Sequence, residues 1–259
     1  MGIALYQVDA FTDEVFKGNP AAVCPLDAWL PDDVLYKIAA ENNLSETAFF
    51  VDEGDHYHLR WFTPTTEVDL CGHATLATSH VIATELSPGI KNISFMSQSG
   101  ELKVTCESGR YTLDFPARPP APFDAVDMVE YAIGVRPQAT YKSSKLMAVL
   151  DDEAAVLAVE PNFDKVAVLP GDGLIVTARS QNYDYVVRYF GPHCGIPEDP
   201  VTGSAHVVTV PYWKERLGKR EMVAKQVSER GGVLWLKDCD DRVLLTGNAV
   251  LYLKGTIYL

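Results

Sequence analysis

No run of about 18 apolar residues occurs in this 259-residue chain, so nothing in it reads as a membrane-crossing helix. The opening MGIALYQVDAFTDE lacks the basic start, long apolar stretch and small-residue cleavage site of a secretory signal, and a cytoplasmic location is expected. Cysteine is scarce and poorly spaced. The five, at 24, 71, 106, 194 and 239, contain no CxxC pair and are odd in number, so reduced thiols are expected, with neither a disulfide framework nor a zinc cluster. Histidine is just as scattered: His56 and His58 alternate on an expected strand and share a face, but no carboxylate or third histidine follows at ligand spacing, and no metal is expected. There is no GxGxxG and no lysine in a phosphate-site context, which argues against a nicotinamide or pyridoxal phosphate enzyme. No cofactor is expected. Positive charge is short as well. Twenty-two basic against 35 acidic residues leave a formal net charge of -13, which repels phosphate backbones and anionic membranes over a Debye length. Neither nucleic acid nor a membrane is expected as a partner.

The chain does contain a repeat of itself. YHLRWFTP (57–64) matches YVVRYFGP (185–192), sharing Tyr57/Tyr185, Arg60/Arg188, Phe62/Phe190 and Pro64/Pro192 at a constant separation of 128. CGHATLATSHV (71–81) falls on TGSAHVVTVPY (202–212) at a separation of 131, pairing Gly72 with Gly203, Ala74 with Ala205 and Thr78 with Thr209. The same 131 sets SQSGELKV (97–104) on SERGGVLW (228–235). Three matches in one order, drifting by three residues, indicate a duplicated unit near the usual domain size of roughly 100 to 150 residues. The expected domains are residues 1–116 and 117–259, with the proline-rich PARPPAPF (116–123) at their boundary.

Within each copy, local patterns run in parallel. TAFFV, HYHLRWF, ISFMSQ, ELKVTC and RYTLDF in the first copy are predicted strands, as are DGLIVTAR, YVVRYF, GVLWLK and RVLLTG in the second. HATLATSHVIATEL carries apolar residues near helical spacing and closes at Ser87-Pro88-Gly89, and its counterpart GSAHVVTVPYWKERLG ends at Gly218. PDDVLYKIAAENN (31–43) starts with proline and two acids, as a helix N-terminus prefers. The predicted class is α/β (α+β): two pseudo-symmetric domains, each a sheet or barrel wound around a central helix. A glycine opens the central helix in both copies, at Gly72-His73 and Gly203-Ser204. Glycine lets a ligand approach the backbone, and the free amides of a first helical turn bind anions. If the halves face each other across a pseudo-two-fold axis, both helix ends converge on one cleft that holds a carboxylate.

VDAFTDEVFKGNPAAV (8–23), NLSETAFF (43–50), DLCGHATLA (69–77) and EDPVTGSA (198–205) resemble the motifs of PhzF-like (phenazine biosynthesis-like) proteins, in order and over essentially the whole chain. That family is similar in fold to diaminopimelate epimerase, with barrel-like domains around central helices and the active site between them. The resemblance also implies a last strand returning to the first domain, a homodimer, and Glu46 as general acid/base with His73 and Asp199 as its catalytic partners. Asn19, Gly72, Gly203 and Ser204 are implied at the substrate. PhzF itself isomerises a dihydro-hydroxyanthranilate. A carboxyl group whose charged form burial disfavours can both take and return a proton, which suits such a shuttle.

Each residue also has a plainer reading: a solvated surface Glu46, a His73 satisfying a carbonyl, a turn-forming Asp199 before Pro200, a helix-capping Ser204. The related epimerases use one cysteine per half as opposed bases. Here Cys71 takes the first position and the repeat puts Thr202 at the second, and a threonine hydroxyl is a very poor base. The expected function is a cofactor-independent isomerase that shifts a double bond in a small carboxylate by proton transfer through Glu46, with Cys71 a buried spacer. The alternatives are an amino-acid racemase or epimerase using Cys71, and a non-catalytic small-molecule-binding protein.

Overall fold

The computed structural model describes residues 2–259, apart from the Cys194 side chain, so the thiol at 194 lies outside the described residues. Cys24, Cys71, Cys106 and Cys239 are free thiols. Packing divides the chain into two compact units: residues up to Asp114 together with Thr246–Leu259, and Phe115–Leu245. No described helix is long and apolar enough to cross a membrane.

The first unit contains β1 (Gly2–Ala10), β2 (Asn19–Leu26), α1 (Asp32–Asn42), β3 (Glu46–Asp52), β4 (Tyr57–Phe62), β5 (Glu67–Val68), α2 (Gly72–Val81), β6 (Asn92–Ser97), β7 (Gly100–Glu107) and β8 (Arg110–Pro116). The second unit contains β9 (Ala121–Pro122), α3 (Val126–Ile133), β10 (Ala139–Lys142), β11 (Leu146–Val149), α4 (Glu153–Leu157), α5 (Phe163–Ala167), β12 (Leu174–Arg179), β13 (Tyr185–Phe190), α6 (Gly203–Leu217), β14 (Glu221–Gln226) and β15 (Gly232–Cys239). The last strand, β16 (Arg242–Tyr258), starts in the second unit and ends in the first.

In the first unit the strand order β1-β2-β3-β4-β6-β7-β8-β16 closes on itself, because β16 also pairs antiparallel with β1, from Gly2↔Tyr258 to Ala10↔Ala249. Closure leaves no unpaired edge and gives an eight-stranded barrel whose interior alternate side chains fill. The filler here is α2, nine of whose ten residues are buried, packed on β1, β2, β3 and β7. A helix enclosed this way must be apolar or small over most of its surface, and GHATLATSHV is so apart from its two histidines. Its hydroxyls are returned to its own backbone: Thr78 donates to the Ala74 carbonyl at 2.7 Å and Ser79 to the Thr75 carbonyl at 2.8 Å. In the second unit the order is β9-β10-β11-β12-β13-β14-β15-β16, with α6 as the corresponding buried helix. Gly218 ends α6 in the left-handed conformation, as the sequence predicts.

The repeat has a physical counterpart in each unit. Arg60 grips Glu67 through two hydrogen bonds of 2.8 Å and stacks on Phe62 two residues on, its guanidinium carbon 5.0 Å from the ring centre. Arg188 grips Glu198 at 2.7 and 2.9 Å and stacks on Phe190 at 4.9 Å. A planar fork that pairs bidentately while covering an aromatic face is something lysine cannot reproduce, which explains why R-x-F recurs in both copies.

The loop 11–18 joins β1 to β2 and tolerates little change. Gly18 sits at φ +63°, and a Cβ there would lie 2.2 Å from the Ala10 carbonyl oxygen. Gly18→Ala is expected to cost about 3 kcal/mol, because the clash is with backbone rather than a flexible side chain. Urea denaturation would measure the loss, and a variant as stable as the parent would mean that the turn relaxes freely.

Candidate active site

In the first unit, β3 begins at Glu46, which its pairing register sets opposite Ala21 of β2. Asn19 is the first residue of β2, opposite Ala10, and is fully buried. Gly72 and His73 open α2, whose N-cap is Cys71. These local starts bring three side chains together: His73 Nε2 lies 3.1 Å from Glu46 Oε2, and His73 Nδ1 lies 3.5 Å from Cys71 Sγ. Glu46, Cys71 and His73 are 8%, 6% and 4% exposed. The Glu46–His73 contact has ion-pair distance without hydrogen-bond alignment, since neither Glu46 Oε2 nor His73 Nε2 makes a hydrogen bond.

Burial and the Glu46 charge push the Cys71 thiol up, with His73 partly opposing them. Burial alone would lower the pKa of His73. Charges on Cys71 and Glu46, and contacts with both, outweigh it and hold the imidazole well above its ordinary value. A charged imidazole beside a carboxylate, walled off from water, is an arrangement in which one proton can be held or passed on.

The second unit assembles its residues differently. Asp199 precedes α6, Thr202 is the N-cap, and Gly203 and Ser204 are its first two residues. The Thr202 hydroxyl donates to Asp199 Oδ2 at 2.5 Å and accepts from Gln226 Nε2 at 3.1 Å. Gln226, fully buried at the end of β14, also donates to the Asp199 carbonyl at 2.6 Å and accepts from the Thr202 amide at 2.8 Å. Both Gln226 amide hydrogens are used, one of them on Thr202 Oγ1, so the Thr202 hydroxyl proton is left for Asp199 Oδ2. Ser204 is half-buried and does not cap α6. Neither α2 nor α6 has a side-chain cap among the described residues. In α6 no cap side chain takes the first-turn amides, as an anion site requires, whereas in α2 the Ala74 amide also interacts with the Cys71 sulfur.

Sequence reasoning left two features incomplete. Cys71, read as a buried spacer or alternatively as a racemase base, is buried and touches His73. Gln226 carried no motif, and only the return of β14 to the start of α6 shows its role. His56 and His58 are met by a carboxylate that precedes them, Glu53, at 3.0 and 3.6 Å.

A family model described as phenazine biosynthesis-like protein matches residues 8–255. The chain belongs to the PhzF-like family. It is 49% identical to an uncharacterized isomerase of Pseudomonas aeruginosa, over 100% of both chains. A crystal structure of a PhzF-family protein from Enterococcus faecalis superposes with a TM-score of 0.97 at 48% identity, covering 100% of each chain. A hydroxyproline epimerase from Agrobacterium vitis, solved with bound trans-4-hydroxy-L-proline, shares the fold alone, with a TM-score of 0.62 at 8% identity over 99% of this chain and 92% of the other. The protein is thus a PhzF-like isomerase with an α/β, epimerase-like fold.

Proposed function

We propose that this isomerase moves a proton between carbon positions of a small carboxylate substrate, shifting a double bond, with Glu46 as the single acid/base and no cofactor. The observation that carries the reading is the buried Glu46–His73 pair, in which Glu46 Oε2 accepts no hydrogen bond and keeps a lone pair for an incoming proton. His73, charged in this setting, offsets the negative charge that builds on a deprotonated substrate. The helix starts at Gly72 and at Gly203 each present backbone amides of the kind that suit an anion, and the family resemblance implies Asn19, Asp199 and Ser204 as substrate residues. Cytoplasmic location and homodimerisation belong to the same reading.

A racemase using Cys71 is the second reading, favoured by the 3.5 Å contact between that thiol and His73. It lacks an opposed base of its own kind, because Thr202, the repeat equivalent, spends its hydroxyl on Asp199. Proton NMR in D2O separates the two, with dihydro-hydroxyanthranilate and trans-4-hydroxyproline among a panel of small carboxylates. The one-base isomerase should incorporate deuterium at a shifted position and keep more than about a tenth of its rate in Cys71→Ala. Inversion at an α-carbon that disappears in Cys71→Ala supports the racemase. Tight binding without exchange by intact protein supports a binding protein instead.

A further inference from the structure

Glu46, Cys71 and His73 form a donor set that proton transfer does not require. One ligand atom from each lies within 4.8 Å of the others, and all three side chains are buried. Among the described residues no other group of three such side chains meets that spacing. Thiolate, imidazole and carboxylate are the ligands zinc takes at about 2.0 to 2.3 Å, so two of them at tetrahedral angles on one ion stand roughly 3.3 to 3.6 Å apart. The Cys71 Sγ–His73 Nδ1 separation is 3.5 Å and the His73 Nε2–Glu46 Oε2 separation is 3.1 Å. An ion can take only one imidazole nitrogen. One of these contacts therefore becomes a ligand pair, and the remaining donor turns in from within 4.8 Å.

A second observation points the same way. Glu46 Oε2 and His73 Nε2 are buried polar atoms with no hydrogen bond, and a cation satisfies such atoms without needing donor alignment. The sulfur disfavours magnesium and calcium, and the mixed S, N, O set favours zinc or cobalt. Three protein ligands leave a fourth position open to water or a carboxylate.

We propose that Glu46, Cys71 and His73 form a binding site for a borderline divalent transition-metal ion, zinc by donor type, which blocks the proton-transfer site when it is occupied. Coordination replaces the Cys71 S–H bond and one N–H bond of the charged His73 imidazole with bonds to the metal, and both protons pass to the buffer. Binding itself asks nothing of the proposed reaction; only the block rests on that reading. A rival location exists on the surface, where Glu53, Asp55, His56, His58 and Glu101 line an open cavity of about 560 Å³. Its one sulfur is the Met96 thioether and it offers no thiol, so a thiolate-to-metal band distinguishes the two sites.

The test is titration of the full-length protein with Co²⁺, followed by Zn²⁺. One equivalent of cobalt should produce a thiolate-to-cobalt charge-transfer band in the near ultraviolet that zinc abolishes. Cys71→Ala should lose the band, and a His56→Ala/His58→Ala double variant should keep it. Glu46→Gln and His73→Asn, variants that leave the thiol in place, should each weaken cobalt binding by at least about tenfold, which covers the case of a Cys71→Ala protein that does not fold. Absence of the band in the parent, its persistence in folded Cys71→Ala, or unchanged affinity in both of the other variants overturns the site. Because cobalt binding is read without turnover, a protein that binds cobalt but, when metal-free, exchanges no substrate proton rejects the isomerase mechanism alone. One that exchanges protons but gives no band rejects the metal site alone.

Discussion

Glu46→Gln is expected to slow deuterium incorporation into substrate by roughly 10²- to 10⁴-fold, the usual contribution of a general acid/base. The substitution keeps the shape of the side chain and removes its capacity to take a proton together with the charge that faces His73. Some stability should be lost as well, because glutamine no longer offsets the charge on the buried His73 3.1 Å away. Far-ultraviolet circular dichroism and urea midpoints establish the fold, and NMR in D2O reads the exchange. The carboxyl group is the base only if exchange falls while the fold survives; a variant that exchanges at the parental rate removes Glu46 from that role and with it the mechanism. His73→Asn should also reduce the rate, by a smaller factor, since it removes a neighbouring charge rather than the proton acceptor.

Acid should destabilise the second unit through His206. This side chain is fully buried in α6; its Nδ1 meets the Tyr185 hydroxyl at 2.8 Å, and its Nε2 has no hydrogen-bond partner. Burial pushes it down from 6.5 to about 3, so it stays neutral in the folded protein while an unfolded chain takes up a proton near its ordinary value. From about pH 6.5 down to about pH 3 the unfolded state therefore binds more protons, and stability falls as pH falls, by up to roughly 4 kcal/mol from this group. His73 acts in the opposite sense and in a different window: held well above 6.5 in the fold, it adds stability below that pH, and the addition is lost as pH rises through its folded value. Urea unfolding of the parent and of His206→Asn at pH 7, 5.5 and 4 isolates the acid effect. The variant should start less stable at neutral pH but lose less on acidification, and parallel pH profiles would show that His206 does not carry the acid sensitivity.

Where the sequence reading succeeded, the determining forces were local. Residues 31–43 were expected to be helical, and α1 runs Asp32–Asn42 with Pro31 at its N-cap and Asn43 left-handed at its end. The long pattern after Gly72 continues through α2 into one π-helical turn over Ile82–Leu86. The short helices α4 and α5 went unread although each has a side-chain cap: Asp152 accepts from the Ala155 amide and Asn162 from the Lys165 amide. Five residues are too few to display a helical period, so the cap was the one signal available. Strands β1 and β2 also went unread; their partners, not their own periodicity, define them.

Residue order alone determined the duplication, the family, the elements that open with Gly72 and Gly203, and the identity of Glu46, His73 and Asp199 as candidates, because turns, caps and motifs act over a few neighbouring residues. Closure of the first barrel by β1 and β16, the meeting of Glu46 with Cys71 and His73, and the anchoring of Asp199 and Thr202 by Gln226 were decided only in three dimensions. Those contacts join residues far apart in the chain, and their energies depend on which groups exclude water from one another, a property that no short stretch of sequence possesses.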